Sequence, residues 1–290
     1  MSLDRRRFVK AAGLAALGLT VAPPLKLFGA EKNTGESDAG LARDEEVLNE
    51  IFDAEKSAPL ELPLRAAHPP EHAGRWAMVI DLRKCREHKD CTACIQVCHT
   101  IHNVPDYPNP KDEIKWIWKE PFSHAFAEDL HPFIQEEILH SNTLLLCNHC
   151  DNPPCVRVCP TQATWKREKD GIVMMDWHRC IGCRYCIAAC PYGSRSFNYR
   201  EPKKFFAEKG LKPRPDFPTR TRGVVEKCTL CEERLARGQW PACVEACPHN
   251  AMIFGDLDNA EDPVRLLLAS RFTLRRKAGL GTQPEIYYIV

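Results

Sequence analysis

The sequence predicts an α+β fold made of duplicated small modules with loop-rich insertions. Three observations predict it. Sixteen cysteines fall into four groups of four with none left over. Short apolar runs of strand type recur beside these groups, and two long segments, residues 99–146 and 191–227, interrupt the rhythm.

The groups are Cys85, Cys91, Cys94, Cys98; Cys147, Cys150, Cys155, Cys159; Cys180, Cys183, Cys186, Cys190; and Cys228, Cys231, Cys243, Cys247. Only the third has the uninterrupted run C-x2-C-x2-C-x3-C-P of bacterial ferredoxins. A two-residue gap lets successive thiolates turn inward around one compact anionic cube, so three near cysteines hold three irons. The fourth cysteine of such a run ligates the other cluster of a two-cluster unit. Groups must therefore work in pairs, which predicts two ferredoxin-like 2×[4Fe-4S] modules and four [4Fe-4S] clusters. Pro160, Pro191 and Pro248 follow the fourth cysteines of groups two, three and four. Proline suits the first turn of a helix, so a helix is expected to start there with its free amides facing a cluster.

Other uses of the cysteines each predict something absent. Zinc normally takes two close pairs per site, which leaves the third close cysteine unexplained. Covalent haem needs C-x-x-C-H, yet Ile95, Asp151, Arg184 and Glu232 follow the C-x-x-C steps. A disulfide framework is the serious alternative, because the count is even and the chain reads as exported. The fourfold recurrence of a cluster motif outweighs it.

Export is read from residues 1–30, a twin-arginine signal peptide. Arg5, Arg6 and Arg7 precede Phe8, Val9 and Lys10, and an apolar run follows from Ala11 to Ala22. That run is too short to span a bilayer, and Phe28, Gly29 and Ala30 offer a small-residue cleavage site. The twin-arginine route carries folded, cofactor-loaded proteins, which agrees with clusters assembled in a reducing cytoplasm. No second apolar run is long enough for a transmembrane span. Residues 1–30 hold five basic side chains and one acidic, so the overall +1 becomes −3 for the remainder. Each cluster with four thiolates adds roughly −2, so nucleic acid is excluded as a partner.

Residues 31–75 read as an N-terminal arm with a short helix around 41–55, whose stripe is Val47, Leu48, Ile51 and Phe52. Residues 76–139 with 201–260 form the outer ferredoxin module, carrying groups one and four. Residues 140–200 form the inner module, carrying groups two and three, and residues 261–290 are a C-terminal tail. Strands are expected at Trp76–Asp81, Gly171–Asp176 and Ala251–Phe254. Strand, cysteine loop, short helix and strand is the rhythm of a ferredoxin-like unit, and its repetition indicates internal duplication. Trp116, Ile117 and Trp118 read as a core strand. Trp177 and Tyr185 read as packing that keeps water off the third group, and Lys203, Lys204, Arg275, Arg276 and Lys277 as solvated surface.

This layout over residues 76–260 resembles the iron–sulfur subunits that accompany molybdopterin oxidoreductases and related quinone-linked complexes, the DMSO and polysulfide reductase family. The resemblance implies that groups two and three share one module, with Cys147, Cys150, Cys155 and Cys190 on one cluster and Cys180, Cys183, Cys186 and Cys159 on its partner. It implies the same exchange for the outer pair: Cys85, Cys91, Cys94 with Cys247, and Cys228, Cys231, Cys243 with Cys98. With every ligand present, the three-iron cluster of some relatives is not expected. A closer likeness is to the DsrO-type subunits of sulfite-reduction-associated DsrMKJOP complexes. It rests on the twin-arginine start and on residues 98–105 (CHTIHNVP), 190–198 (CPYGSRSFN), 217–220 (FPTR), 224–228 (VVEKC), 241–247 (PACVEAC), 255–258 (GDLD) and 282–290 (TQPEIYYIV). Two departures stand out. Five residues, Arg86 to Asp90, separate the first two cysteines, and His99 stands where the other groups have proline. A looser first loop with a different potential is expected.

What the resemblance implies is an electron-transfer subunit with no catalytic residue of its own, on the periplasmic or outer face of the cytoplasmic membrane. Its partners would be an integral membrane NrfD/DsrP-type quinone-interacting subunit and a multihaem cytochrome c. The alternative is the relay of a periplasmic molybdopterin oxidoreductase acting on polysulfide, tetrathionate or DMSO. A third reading is a non-redox exported protein tied by disulfides or zinc. Lys84, Arg179 and Lys227 each precede the first cysteine of a group, whereas Leu146 precedes the second group's. A nearby cation favours the extra negative charge of a reduced cluster. Replacing Lys227 by Met is therefore expected to lower the midpoint potential of the adjoining cluster in a redox titration.

Overall fold

The computed structural model describes residues 73–290. The signal segment, the helix expected around 41–55 and the remainder of the arm to residue 72 lie outside the described residues.

β1 (Trp76–Asp81) forms where the sequence places it and is buried along its length. Both its edges are taken. Residues 76–80 pair antiparallel with β8 (Met252–Asp256), and residues 78–81 run parallel to β9 (Ile286–Ile289). A strand covered on every side reads as an unbroken apolar run, which is what Trp76 to Ile80 is. Alternate residues serve two cores. Trp76, Met78 and Ile80 join Phe254, Ile286 and Tyr288 in the main core. Ala77 and Val79 join Ile253, Leu257, Val264 and Ile289 beneath helix Pro263–Ser270. Asp262 caps that helix by accepting from the Val264 amide, and its other oxygen accepts from the Asp256 amide of β8.

Residues 261–290 are therefore no loose appendage to this sheet. The amides of Asp151 and Asn152 donate to the carbonyls of Gln283 and Thr282, and the Glu285 amide donates to Asn148. The end of the chain so fastens the loop of the second cysteine group. Arg276, expected in solvent, is instead buried and donates to the carbonyls of Ala125 and Tyr192. Its neighbours in the run are half-buried rather than solvated, Arg275 lying over Tyr287 and Lys277 donating to the Pro191 carbonyl.

The remaining sheets are small hairpins. β2 (Ile117–Pro121) pairs with β3 (Asn142–Leu146), and Trp116, Ile117 and Trp118 lie in the core as read. β4 (Thr164–Lys166) pairs with β5 (Val173–Met175), shorter than expected because Gly171 turns the chain at φ 75°. β6 (Ser196–Phe197) pairs with β7 (Val225–Glu226). Glu226 of β7 forms a buried ion pair with Arg220. Its guanidinium lies over Trp116, Trp177 and Phe217, and Glu226 also accepts from Trp116 Nε1 at 2.9 Å. A buried pair needs such extra donors to offset its desolvation.

The helices differ from expectation in one respect. None starts at Pro160, Pro191 or Pro248; short helices Pro154–Arg157, Tyr185–Ala189 and Ala242–Glu245 instead precede the fourth cysteines. Each of these prolines ends a helix, since it cannot extend one without an N–H. Among the described residues no helix is long and apolar enough to cross a membrane.

Glu285, just before β9, shows how tightly this end is held. Burial pushes its carboxyl up to about 7, although Arg75 Nε stands 3.6 Å away. A raised carboxyl pKa favours the folded chain while the group is protonated. That contribution is complete below the ordinary value of 4.5 and is lost as pH rises through about 7. Glu285→Gln is expected to remove this fall in stability when denaturation midpoints are compared across that window.

Candidate metal centres

Thiols distant in sequence meet in the folded chain. Cys85 on helix Leu82–Glu87, Cys91, Cys94 on helix Ala93–Ile101 and Cys247 line one pocket, with His88, His249 and Lys119 around them. Burial raises Cys85 to about 12 and Cys94 to about 11, and Cys247 is the next contributor to each. Cys98 lies one turn further along the same helix, which packs against helix Ala242–Glu245. Its thiol is pushed well up by burial, then by Cys231, Cys228 and Cys243.

The inner groups behave alike. Cys150 rises to about 12 through burial and then Cys147, with Cys155 and Cys190 adding, while the Thr282 hydroxyl opposes. Burial also raises Cys186; Arg195 opposes it, and Cys155, Cys180 and Cys159 add to it. Cys159 goes the other way. Burial works upward there, but hydrogen bonds from Thr164, Thr161 and Ala163 outweigh it. Cys183, on the same loop as Cys180, is exposed at the surface.

Local backbone shape makes these gatherings. A residue in the left-handed region sits inside the first two-residue gap of groups two, three and four: His149 at φ 42°, Gly182 at φ 71° and Leu230 at φ 61°. For a residue with a Cβ this costs about 1–2 kcal/mol. It curls the loop so that amides point toward an anion. The Leu230 amide donates to Cys228 Sγ at 3.3 Å, and the Ala251 amide to Cys247 Sγ at 3.3 Å. At Gly182 a Cβ would also meet the Gly223 carbonyl at 2.2 Å, so glycine is required twice over.

Group one solves the problem differently, and the looser loop expected there is not found. Arg86 and Glu87 finish a helix, and a turn closed by the Cys91 amide on the His88 carbonyl at 3.0 Å follows. His88 then stacks on His249 with ring centroids 3.5 Å apart, pinning this loop to group four.

The donor chemistry can be tested against iron–sulfur clusters. Buried thiols raised by one another form an uncompensated set unless a cationic core neutralises them, and soft sulfur selects iron–sulfur clusters or zinc. Amides aimed at sulfur suit either. The residues fit a cluster, and the choice from zinc comes from kinship. Residues 142–208 match one 4Fe-4S dicluster domain family and residues 179–251 match a second. The chain is 37% identical over 237 residues to the Hdr-like menaquinol oxidoreductase iron-sulfur subunit 1 of Archaeoglobus fulgidus, covering 74% of this chain and 82% of that protein. It belongs to the family of 4Fe-4S oxidoreductase subunits. It is also 38% identical to the menaquinone reductase iron-sulfur cluster-binding subunit of Nitratidesulfovibrio vulgaris, over 74% of this chain and 88% of that protein. Its identity to a tetrathionate reductase subunit of Salmonella typhimurium is 36%, over 78% and 76% respectively. This iron–sulfur protein holds 4Fe-4S clusters and transfers electrons.

Two side chains of the iron–sulfur subunit went unremarked in the sequence. His102 stacks on Trp116, and its Nε2 lies 3.0 Å from Glu233 and 3.7 Å from Cys231 Sγ. Arg195 donates to Cys155 Sγ at 3.0 Å. Both stand in stretches that carry the family likeness, but nothing local marks a histidine or arginine as facing sulfur. Trp177 is half-buried against Phe217, whereas Tyr185 is 63% exposed and so does not keep water off group three as expected. Its place at the start of a helix turns it outward.

Removing iron from the iron–sulfur subunit with a strong chelator under reducing conditions should leave these thiols unneutralised. Loss of near-UV circular dichroism and of a cooperative unfolding transition is expected, because ligation supplies folding energy to such short elements.

Proposed function

We propose that the chain carries four [4Fe-4S] clusters and relays electrons between a quinone-linked membrane subunit and the other redox subunits of a sulfite-reduction-associated complex. The observation that carries this is the mixing of groups: Cys247 stands with Cys85, Cys91 and Cys94, and Cys98 stands among Cys228, Cys231 and Cys243. On this reading those quartets are ligand sets. Cys147, Cys150, Cys155 with Cys190, and Cys180, Cys183, Cys186 with Cys159, are the other two.

A bound cluster supplies one-electron storage. The chain's part is to hold each set at fixed spacing, to limit water around the buried thiols, and to aim amides at sulfur so that added negative charge is met without rearrangement. The Leu230 and Ala251 amides do this. Cys183, being exposed, marks the edge of the inner module at which a redox partner could come nearest.

Membership beside menaquinol oxidoreductase and menaquinone reductase subunits supports a quinone-linked partner, for which an NrfD/DsrP-type membrane protein is the proposed class, with a multihaem cytochrome c beyond it. The arginine triplet Arg5 to Arg7 supports export by the twin-arginine route to the outer face of the membrane. A second reading is favoured by the likeness to the tetrathionate reductase protein: the relay of a molybdopterin reductase.

Anaerobic purification of the intact membrane complex decides between them. About sixteen irons per chain, a co-purifying membrane quinone subunit and no molybdenum are expected. Stoichiometric molybdenum would establish the second reading instead.

A further inference from the structure

Two cations are buried beside the thiol gatherings without a carboxylate to answer them. Arg195 is 4% exposed and enters no ion pair among the described residues. Its Nη2 donates to Cys155 Sγ at 3.0 Å and to Thr164 Oγ1 at 2.8 Å, and its Nη1 points to Met175 Sδ at 3.8 Å. A guanidinium stays charged at any working pH. Burying one is tolerated only where an anion compensates it, and the charges acting on Arg195 are those of Cys155, Cys186 and Cys147. Lys227 is fully buried and donates to the carbonyls of Val173 and Cys228. Burial and the Arg195 charge work against its protonation, and the thiols that favour it are Cys147, Cys228 and Cys155.

Both cations converge on Cys147 and Cys155. Cys186 of the partner set also feels Arg195, and the two outer gatherings have different neighbours. Glu233 acts on Cys231, and Asp81 and Lys119 act in opposite directions on Cys85. Arg179, beside group three, is largely exposed and paired with Asp176. Reduction adds one negative charge to a cluster, and a fixed cation in a poorly screened interior lowers the cost of that charge.

We propose that Arg195, seconded by Lys227, makes the cluster held by Cys147, Cys150, Cys155 and Cys190 the most readily reduced of the four, so that electrons collect where the inner module meets the outer one. This rests on the four-cluster reading. Arg195 acts here as a positioning residue: it fixes charge beside sulfur and takes part in no bond chemistry.

The test is a redox titration followed by electron paramagnetic resonance on the wild-type holoprotein and on Arg195→Met, Arg195→Lys and Lys227→Met. In Arg195→Met the highest of the four midpoints is expected to fall by at least a factor of ten in the one-electron equilibrium, about 59 mV. Arg195→Lys should restore most of it, and Lys227→Met should lower the same midpoint by less, rather than that of the Cys228 set which its place in the sequence alone suggests, since Cys147 acts on Lys227 more than Cys228 does. Cys150→Ala should abolish or convert that same signal. A merely structural role would lower thermal stability and leave the midpoints in place. Four intact signals unmoved by Arg195→Met would overturn the assignment, as would a shift confined to a signal that survives Cys150→Ala. Should Arg195→Met shed iron, Lys227→Met decides by the same criterion. Wild-type protein without four reducible signals would overturn the four-cluster reading itself, and this assignment with it.

Discussion

Everything in this molecule depends on compensating the charge of buried sulfur. Desolvation raises thiol after thiol, and each ionised neighbour raises the next. Packing of this kind is unfavourable for a bare chain, whether the groups are protonated without acceptors or ionised without cations. A metal core removes the conflict. It explains why strands of two or three residues, such as Ser196–Phe197 and Val173–Met175, suffice as framework: ligation does the work that apolar area does in larger domains.

Sharing thiols between groups has a second effect. The pocket that holds Cys85 also holds Cys247, and Cys98 lies among thiols of residues 228–243. Residues 99–227 therefore form a loop closed at its base by sulfur as well as by β1 and β8. Closing a long loop costs entropy that grows only slowly with length, so the length of residues 99–227 adds little to that cost. The stacked His88 and His249 rings brace the same junction by other means, as does Arg220, which donates to the carbonyls of His102 and Asn103.

The parts legible in the sequence were those whose signal is local. The cysteine spacing of each group, the unbroken apolar run of β1 and the tryptophan pair around Ile117 each fit within twenty residues, and their environments follow from that window. The chain end did not yield in the same way, because Ile286–Ile289 is a strand only through its pairing with Val79 and its neighbours. Arg276 is buried by that same long-range packing, and Arg195 faces Cys155 across forty residues of chain. The prolines misled for a different reason: a residue that favours a helix start equally favours a helix stop, and only the position of the third cysteine inside the preceding turn decides which. Lys227 was marked by position alone; its burial and the nearness of Cys147, eighty residues away in the chain, came from packing.

The placing of β1 between β8 and β9 also fixes an order of events during synthesis. Its antiparallel neighbour is translated about 170 residues later, and its parallel neighbour later still. Until residues 247–256 have emerged, the first cysteines have neither β8 nor Cys247 beside them. A product cut short before residue 247 would display a bare apolar edge on β1 and lack Cys247 beside Cys85, Cys91 and Cys94, a form that proteases can recognise and destroy before it joins any larger assembly.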